Sequence, residues 1–379
     1  MDFDYVVMPA IILLVGILIV WLSVRCIFSL STKSYRTWRK VTERIILSLV
    51  VLLAAAVTGS SAFNAIALYR FRALNPPPGA FYTVNGHKMR MNCTGSGSPT
   101  IVLEAGGGND ALIWGGVQPV LSKTTRVCSY DRAGYGWSDV LPAPRDADHV
   151  AAELHGLLSA AKIDGPIVLM GHSIAGMYMR DYATRYPKNI VGLVFVDVST
   201  PLQDENPAMK AMIAKGPPQW VSMLLRAYYI AGLPRIMGQC SQTIPGLAGQ
   251  AGRMEAENLC HVQFGAMAHE MDSFNRSGHE TVHTGPYGAI PILIFSEDTT
   301  TMHLPISPQQ TADLAKIMNQ MHEDLKKLST RSRRIIAKGS GHYVQLFRAD
   351  LIEKEVPLFI EQIRGTVLQP TNYGSTITE

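Results

Sequence analysis

The 379-residue chain is 47% hydrophobic but only 17% charged, against roughly 25% charged in an ordinary soluble domain, which excludes a disordered chain and a coiled coil. Its mean hydropathy of +0.10 is too low for a polytopic transporter and high for a wholly soluble enzyme, so a membrane anchor joined to a globular domain is expected. The net charge of +4 is modest and no basic stripe interleaves with aromatic residues, so nucleic acid is not an expected partner. None of the five cysteines forms a CxxC pair, which argues against zinc ribbons and thioredoxin-type redox chemistry.

Tyr5–Val24 is an uncharged run of 20 residues between Asp4 and Arg25, and Ile45–Tyr69 is a second of 25 residues. At ~1.5 Å per helical residue, either is long enough to cross a hydrocarbon core ~30 Å thick. The first run exceeds a signal-peptide apolar core, has an acidic N-terminal flank and lacks a small-x-small cleavage site. Two transmembrane helices are therefore expected within an anchor of residues 1–74. The segment between them carries Arg25, Lys33, Arg36, Arg39, Lys40 and Arg44 against Glu43 alone. Positive charge stays cytoplasmic, so residues 25–44 are expected inside and everything after Tyr69 outside, on a multi-pass protein of the plasma membrane. The alternative is a cytoplasmic domain tethered by the same hairpin. Residues 75–80, Pro-rich, form a stiff linker.

Beyond Phe81, short apolar strands alternate with helical patterns. Strands are expected at Lys88–Cys93, Thr100–Glu104, Arg126–Tyr130, Ile167–Met170, Val191–Val196, Ile290–Phe295 and Arg334–Ala337. Helices are expected at Ala147–Ala161, Ala175–Tyr186 and Pro308–Leu328. This is the pattern of an α/β fold with a mostly parallel sheet covered on both faces. The core comprises residues 81–200 and 286–366. Residues 201–285, rich in Met, Gly and Pro, interrupt the alternation and read as an inserted cap over the strand ends; 367–379 form a tail. Cys26 is expected to be free. Of the four cysteines in the exported part, proximity favours Cys240 with Cys260, leaving Cys93 with Cys128, free buried thiols being the alternative.

Gly171-His172-Ser173-Ile174-Ala175-Gly176 follows a strand and opens a helix. A nucleophile on so tight a turn needs neighbours two residues away with almost no side chain; Gly171 meets this, and Ala175 replaces the usual glycine. The helix N-terminus places free N–H groups beside Ser173, favouring a developing anion. Here the chain resembles the α/β-hydrolase family, over most of Phe81–Arg364. Tyr130-Asp131-Arg132-Ala133-Gly134-Tyr135-Gly136-Trp137-Ser138 looks like the family's glycine-rich segment after the fourth strand, and Gly341-His342-Tyr343 like its histidine motif. The resemblance implies Ser173 as nucleophile and His342 as the base that takes its proton and returns it to the leaving group. It places the acid just after the seventh strand. The family has glycine there and the acid three residues on, which would be Thr299, so Asp298 is assigned on a turn one residue shorter. Asp197, ending the sixth strand, is the alternative, because some relatives carry their acid there. The oxyanion hole is assigned to the N–H groups of Ile174 and of Gly107 in the Glu104-Ala105-Gly106-Gly107-Gly108 loop.

His279-Glu280-Thr281-Val282-His283 matches the zincin string H-E-x-x-H, but Gly278 before it, Gly285-Pro286 after it and β-branched neighbours oppose a long helix. His149, His155 and His172 are expected to be packing or surface residues. Trp220, Met223, Leu224, Tyr228 and Ile230 are candidates for an apolar substrate pocket or for the buried face of a lid helix. The expectation is a serine hydrolase, carboxylesterase-like with peptidase or thioesterase chemistry open. It acts on a small apolar acyl substrate through an acyl-Ser173 intermediate, with no metal or organic cofactor. The alternatives are a non-catalytic binding module on the same fold and a membrane zinc peptidase using His279 and His283.

Overall fold

The computed structural model describes residues 8–141, 144–207, 209–210, 219–247, 249–260, 263–301, 307–366 and 373–379. Two helices open the chain, α1 (Met8–Ser29) and α2 (Thr37–Leu74), and both are long and apolar enough to cross a membrane. They pack antiparallel, and a Cβ at Gly16 would lie 1.9 Å from Thr58 Oγ1, so glycine sets how closely the pair approaches. Leu14, Leu52 and Leu53 point away from the pair, each about two-thirds exposed. Both helices outrun their apolar stretches, because nothing breaks α2 before Asn75-Pro76; several cations expected in a loop lie on helical turns, with Arg39 Nε 2.7 Å from Glu43 Oε1. The buried residues of α2 are Ser60, Ser61, Asn64 and Leu68 near its end, where it meets the globular part.

Among the described residues, nine strands form one sheet in the order β1-β2-β4-β3-β5-β6-β7-β8-β9. They are β1 (Ala80–Val84), β2 (His87–Thr94), β3 (Thr100–Glu104), β4 (Val127–Tyr130), β5 (Ile167–His172), β6 (Ile190–Val196), β7 (Ile292–Glu297), β8 (Ser332–Ala337) and β9 (Thr376–Thr378). The β1–β2 hairpin and the β2–β4 pair are antiparallel, and all other pairs are parallel. The sequence pattern missed β1, half-exposed and without alternation, and the three-residue edge strand β9.

Successive residues of a strand face opposite ways, and here both faces are apolar. Leu169, Leu193 and Phe195 join Leu154 and Leu157 of α3 (Ala147–Ala160) in one core layer. Val168, Met170, Val194 and Val196 join Trp114 and, from α10 (Ala349–Arg364), Ile352 and Val356 in the other. Helix α4 (Ala175–Arg185) follows β5 directly. Between β6 and β7 lie α5 (Gln219–Ile230), α6 (Gly249–Leu259), α7 (Gln263–Asp272) and α8 (Phe274–Thr281), and α9 (Pro308–Asp324) follows β7. Ser307 and Gln310 close a capping box at the start of α9. Both expected disulfides are present: Cys93–Cys128 links directly opposed residues of β2 and β4, and Cys240–Cys260 ties the segment before α6 to its end.

Candidate active site

Ser173 sits between β5 and α4 with φ +57°, a strained left-handed conformation that lifts its side chain off the sheet. The departure from the usual small-residue pattern has a steric explanation. A Cβ at residue 171 would lie 2.8 Å from Ala175 Cβ and 2.4 Å from Met179 Sδ. The contact with Met179 does not depend on residue 175, so position 171 needs glycine whatever stands there, and with Gly171 in place the methyl of Ala175 is accommodated. Gly176 clears Val198, whose Cβ would be 2.5 Å from an added methyl. Gly171→Ala is expected to destabilise the fold by about 1–3 kcal/mol through overpacking. Adding Ala175→Gly should restore only part of it, because the contact with Met179 Sδ remains, as read by urea unfolding.

His342 follows β8, and its Nε2 lies 3.0 Å from Ser173 Oγ. Its Nδ1 lies 2.6 Å from Asp197 Oδ2. The acid beside the histidine is thus Asp197 at the end of β6, and the assignment to Asp298 is corrected. The Asp298 carboxylate instead accepts from the backbone N–H and hydroxyl of Thr300, at 3.1 and 2.6 Å, and caps the short turn Thr299–Thr301. Asp197, like Ser173, has a positive φ, +45°, and its other oxygen accepts the Glu297 N–H at 2.8 Å.

The charges are arranged to match. Burial alone would raise the Asp197 carboxyl, but His322, the hydrogen bond and charge of His342, and the Glu297 N–H outweigh it and hold Asp197 below its ordinary value. Burial opposes an imidazolium at His342, yet the hydrogen bond and charge of Asp197, helped by Glu297, raise it above its ordinary value. Burial first, then repulsion from Asp197, pushes Glu297 up to about 7. Burial and the neighbouring His342 push His172 down to about 3, so it is neutral, and its Nε2 lies 2.8 Å from the backbone carbonyl of His342 that it steadies.

Sequence reasoning missed the supports. His322 of α9 is buried, with Nε2 3.2 Å from the Val198 carbonyl and 3.6 Å from Asp197 Oδ1. The loop after β3 is gripped by Arg132. Its guanidinium donates to the carbonyl oxygens of Ala105 and Gly106, to Glu104 at 2.8 Å, and to both oxygens of Glu270 at 2.7 and 3.0 Å. Tyr135 donates to Glu270 at 2.6 Å and accepts the Gly108 N–H at 3.2 Å. Arg132 and Tyr135 lie in the segment the sequence singled out, but nothing in the spacing points to Glu270, over 130 residues away.

Gly107 and Ile174 stand with Ser173 and His342 at a cavity of about 330 Å³. Ile174 precedes the first turn of α4, where N–H groups have no intrahelical acceptor. The apolar wall comes from Met209, Met271, Phe274, Met318 and Met321. That corrects the expected lining: Trp220 and Leu224 are about 60% exposed instead, and the side chain of Met223 lies outside the described residues. In the H-E-x-x-H string, α8 ends at Thr281; His279 faces Glu205 at 3.0 Å, and Glu280 accepts the Asp148 N–H at 3.2 Å. No three potential metal ligands gather among the described residues.

Residues 99–250 match the family model described as the alpha/beta hydrolase fold. Epoxide Hydrolase A from Mycobacterium thermoresistibile superposes with a TM-score of 0.53 at 18% identity, over 75% of this chain and 98% of that one. The chain has the α/β-hydrolase fold. An AB hydrolase superfamily protein of Gibberella zeae is 24% identical over 296 residues, 70% of this chain and 87% of its own. The probable transporter efuK of Hormonema carpetanum is 42% identical over 108 residues, 27% of this chain and 16% of its own. The chain spans about half or less of the length of three curated relatives it matches. On this α/β-hydrolase fold the parallel strands β5, β6 and β8 bring Ser173, Asp197 and His342 together beyond their carboxyl ends, where open sheets bind ligands. The family match supports hydrolase chemistry in general.

Proposed function

We propose that the protein is a membrane-anchored serine hydrolase that cleaves an ester or related acyl bond of a small apolar substrate. The observation that carries this reading is the continuous hydrogen-bonded chain Ser173–His342–Asp197, opening on a methionine-lined cavity. His342 Nδ1–H donates to Asp197, which leaves Nε2 as the acceptor of the serine proton. Ser173 Oγ then attacks the acyl carbon, and the carbonyl oxygen gains negative charge against the N–H groups of Gly107 and Ile174. The imidazolium returns its proton to the departing alkoxide, leaving acyl-Ser173. A water molecule, deprotonated by the same nitrogen, releases the acid and frees the serine. The apolar side chains of the cavity suit an acyl chain better than a sugar or a nucleotide.

The two N-terminal helices would hold this domain at the plasma membrane, with residues 25–44 cytoplasmic and the hydrolase outside. The cationic turns and the two disulfides, which persist in oxidising compartments, support that orientation. The test is labelling of the detergent-solubilised full chain with a fluorophosphonate. Labelling that resists chelator and vanishes in Ser173→Ala supports the reading; folded wild type that stays unlabelled overturns it.

The pH dependence follows from the charges around His342. Only neutral His342 accepts the serine proton, so kcat/KM rises with pH as the imidazolium loses its proton. Because the His342 pKa is raised, that rise is centred above the ordinary histidine value of ~6.5. Glu297 is one cause of the raise, so Glu297→Gln should move the rise to lower pH, read from kcat/KM profiles of the two proteins.

A further inference from the structure

We propose that the helical hairpin of α5 and the turn Leu233–Ile236 is a lipid-contacting surface, seated in the outer interface of the bilayer beside α2. This rests on the membrane-anchored reading and adds to it a second contact with lipid, made by the globular domain.

The hairpin is built onto α2. Ser60 Oγ donates to the Ala231 carbonyl, and Ser61 Oγ donates to the Ile230 carbonyl at 3.2 Å. Arg235 Nε donates to Asn64 Oδ1 at 3.0 Å, and its other nitrogens pair with Glu257. Gly232, with φ +73°, lies so close that an added Cβ would meet Asn64 Cβ at 2.5 Å and the Ser60 carbonyl oxygen at 2.9 Å. Such a contact fixes the height of the hairpin along α2. Ser60 and Asn64 lie fifteen and nineteen residues beyond Ile45, where the apolar run begins, about 22 and 28 Å along a helix rising ~1.5 Å per residue. A hydrocarbon core is ~30 Å thick, so the hairpin meets α2 at the level where acyl chains give way to headgroups.

Its composition fits that level. Between Gln219 and Met237 the sequence has no acid and two arginines, and Arg235 is one of them, already paired. Trp220, Leu224, Ile236 and Met237 are each about 60% exposed, and Leu225 and Leu233 about 40%. Tyr228 and Tyr229 lie on the same helix, and aromatic rings of this kind concentrate at membrane interfaces. Exposed side chains of this size on one hairpin exceed what a surface meeting only water carries. The hairpin is fastened to α2, whose own large exposed side chains along the apolar run are hydrophobic, which argues for lipid rather than a second protein.

The test labels single cysteines in the full-length Cys26→Ser protein in phosphatidylcholine nanodiscs, using an environment-sensitive fluorophore. Positions are Leu224→Cys and Ile236→Cys on the hairpin, Leu49→Cys in α2, and Lys188→Cys on the exposed face of the domain. Brominated acyl chains quench from the lipid side and iodide from the water side. The expected result is a blue shift at 224 and 236 relative to 188, bromine quenching comparable to that at 49, and protection from iodide. Bromine quenching at 49 with iodide quenching at 224 and 236 would keep the anchor and overturn the hairpin proposal. Protection of 224 and 236 from both quenchers means that protein covers them, and overturns it too. Absence of bromine quenching at 49 overturns the anchor, and the hairpin proposal with it.

Discussion

Asp197→Asn is expected to lower kcat by about 10³–10⁴-fold, while Asp298→Asn leaves it nearly unchanged; the size rests on the analogous substitution in serine proteases. Asp197 Oδ2 faces His342 Nδ1 at 2.6 Å and holds that nitrogen in its protonated form. An amide there presents N–H to the ring, which then carries its proton on Nε2, the atom 3.0 Å from Ser173. A protonated Nε2 cannot accept the serine proton. The fold should survive, because an asparagine oxygen still accepts the Glu297 N–H and no buried charge is stranded. Asp298 makes a local cap with Thr300 that asparagine reproduces. Steady-state kinetics of both variants, with thermal unfolding as the control, decides between the two acids. Near-full activity of Asp197→Asn would remove it from the mechanism.

The second large effect belongs to Arg132, which touches no substrate. Arg132→Met strands the buried carboxylates Glu104 and Glu270, and breaking a buried pair in this way costs about 3–5 kcal/mol. That is a large share of the roughly 5–15 kcal/mol that holds a domain folded. Arg132 also donates to the carbonyls of Ala105 and Gly106, immediately before Gly107. Freed of that grip, the loop no longer aims its N–H at the oxygen of the reacting acyl group, and one such donor is worth about 10²–10³ in kcat. Arg132→Lys keeps the charge but not the fork of donors, so it separates the two roles. It should retain most of the stability while kcat falls with little change in KM. A folded Arg132→Lys protein of normal kcat would show that the loop is held by other contacts. Denaturant unfolding and kinetics on the same preparations give both readings.

The fold was legible where physics acts locally. Seven of the nine strands among the described residues, and the helix after Ser173, follow from apolar runs and one steric motif, because a two-sided parallel sheet writes continuous apolar segments into the chain. β9 pairs only with β8 and has no pattern of its own to read. At the site, Ser173 and His342 were legible because each sits on a glycine-marked turn. The choice between Asp298 and its alternative Asp197 was not: β6 and β7 both lead into carboxylates, and the fold brings Asp197, rather than Asp298, to the histidine. The pocket wall was misread for a related reason. Helical amphipathicity tells that one face of α5 is apolar, not whether that face meets the cavity, solvent or lipid.

The ion pair between Arg132 and Glu270 constrains how anything reaches Ser173. Glu270 is carried by α7, one of the helices that cover the strand ends, whereas Arg132 belongs to the sheet side. Swinging α7 outward would break the bidentate Arg132–Glu270 pair together with the Tyr135–Glu270 hydrogen bond, so these contacts oppose that motion. With α7 held in place, adjustment of the cavity wall is left to methionine side chains, whose unbranched, pliable thioethers yield without the backbone moving. Such a wall reshapes around occupants of different girth while the backbone keeps its place.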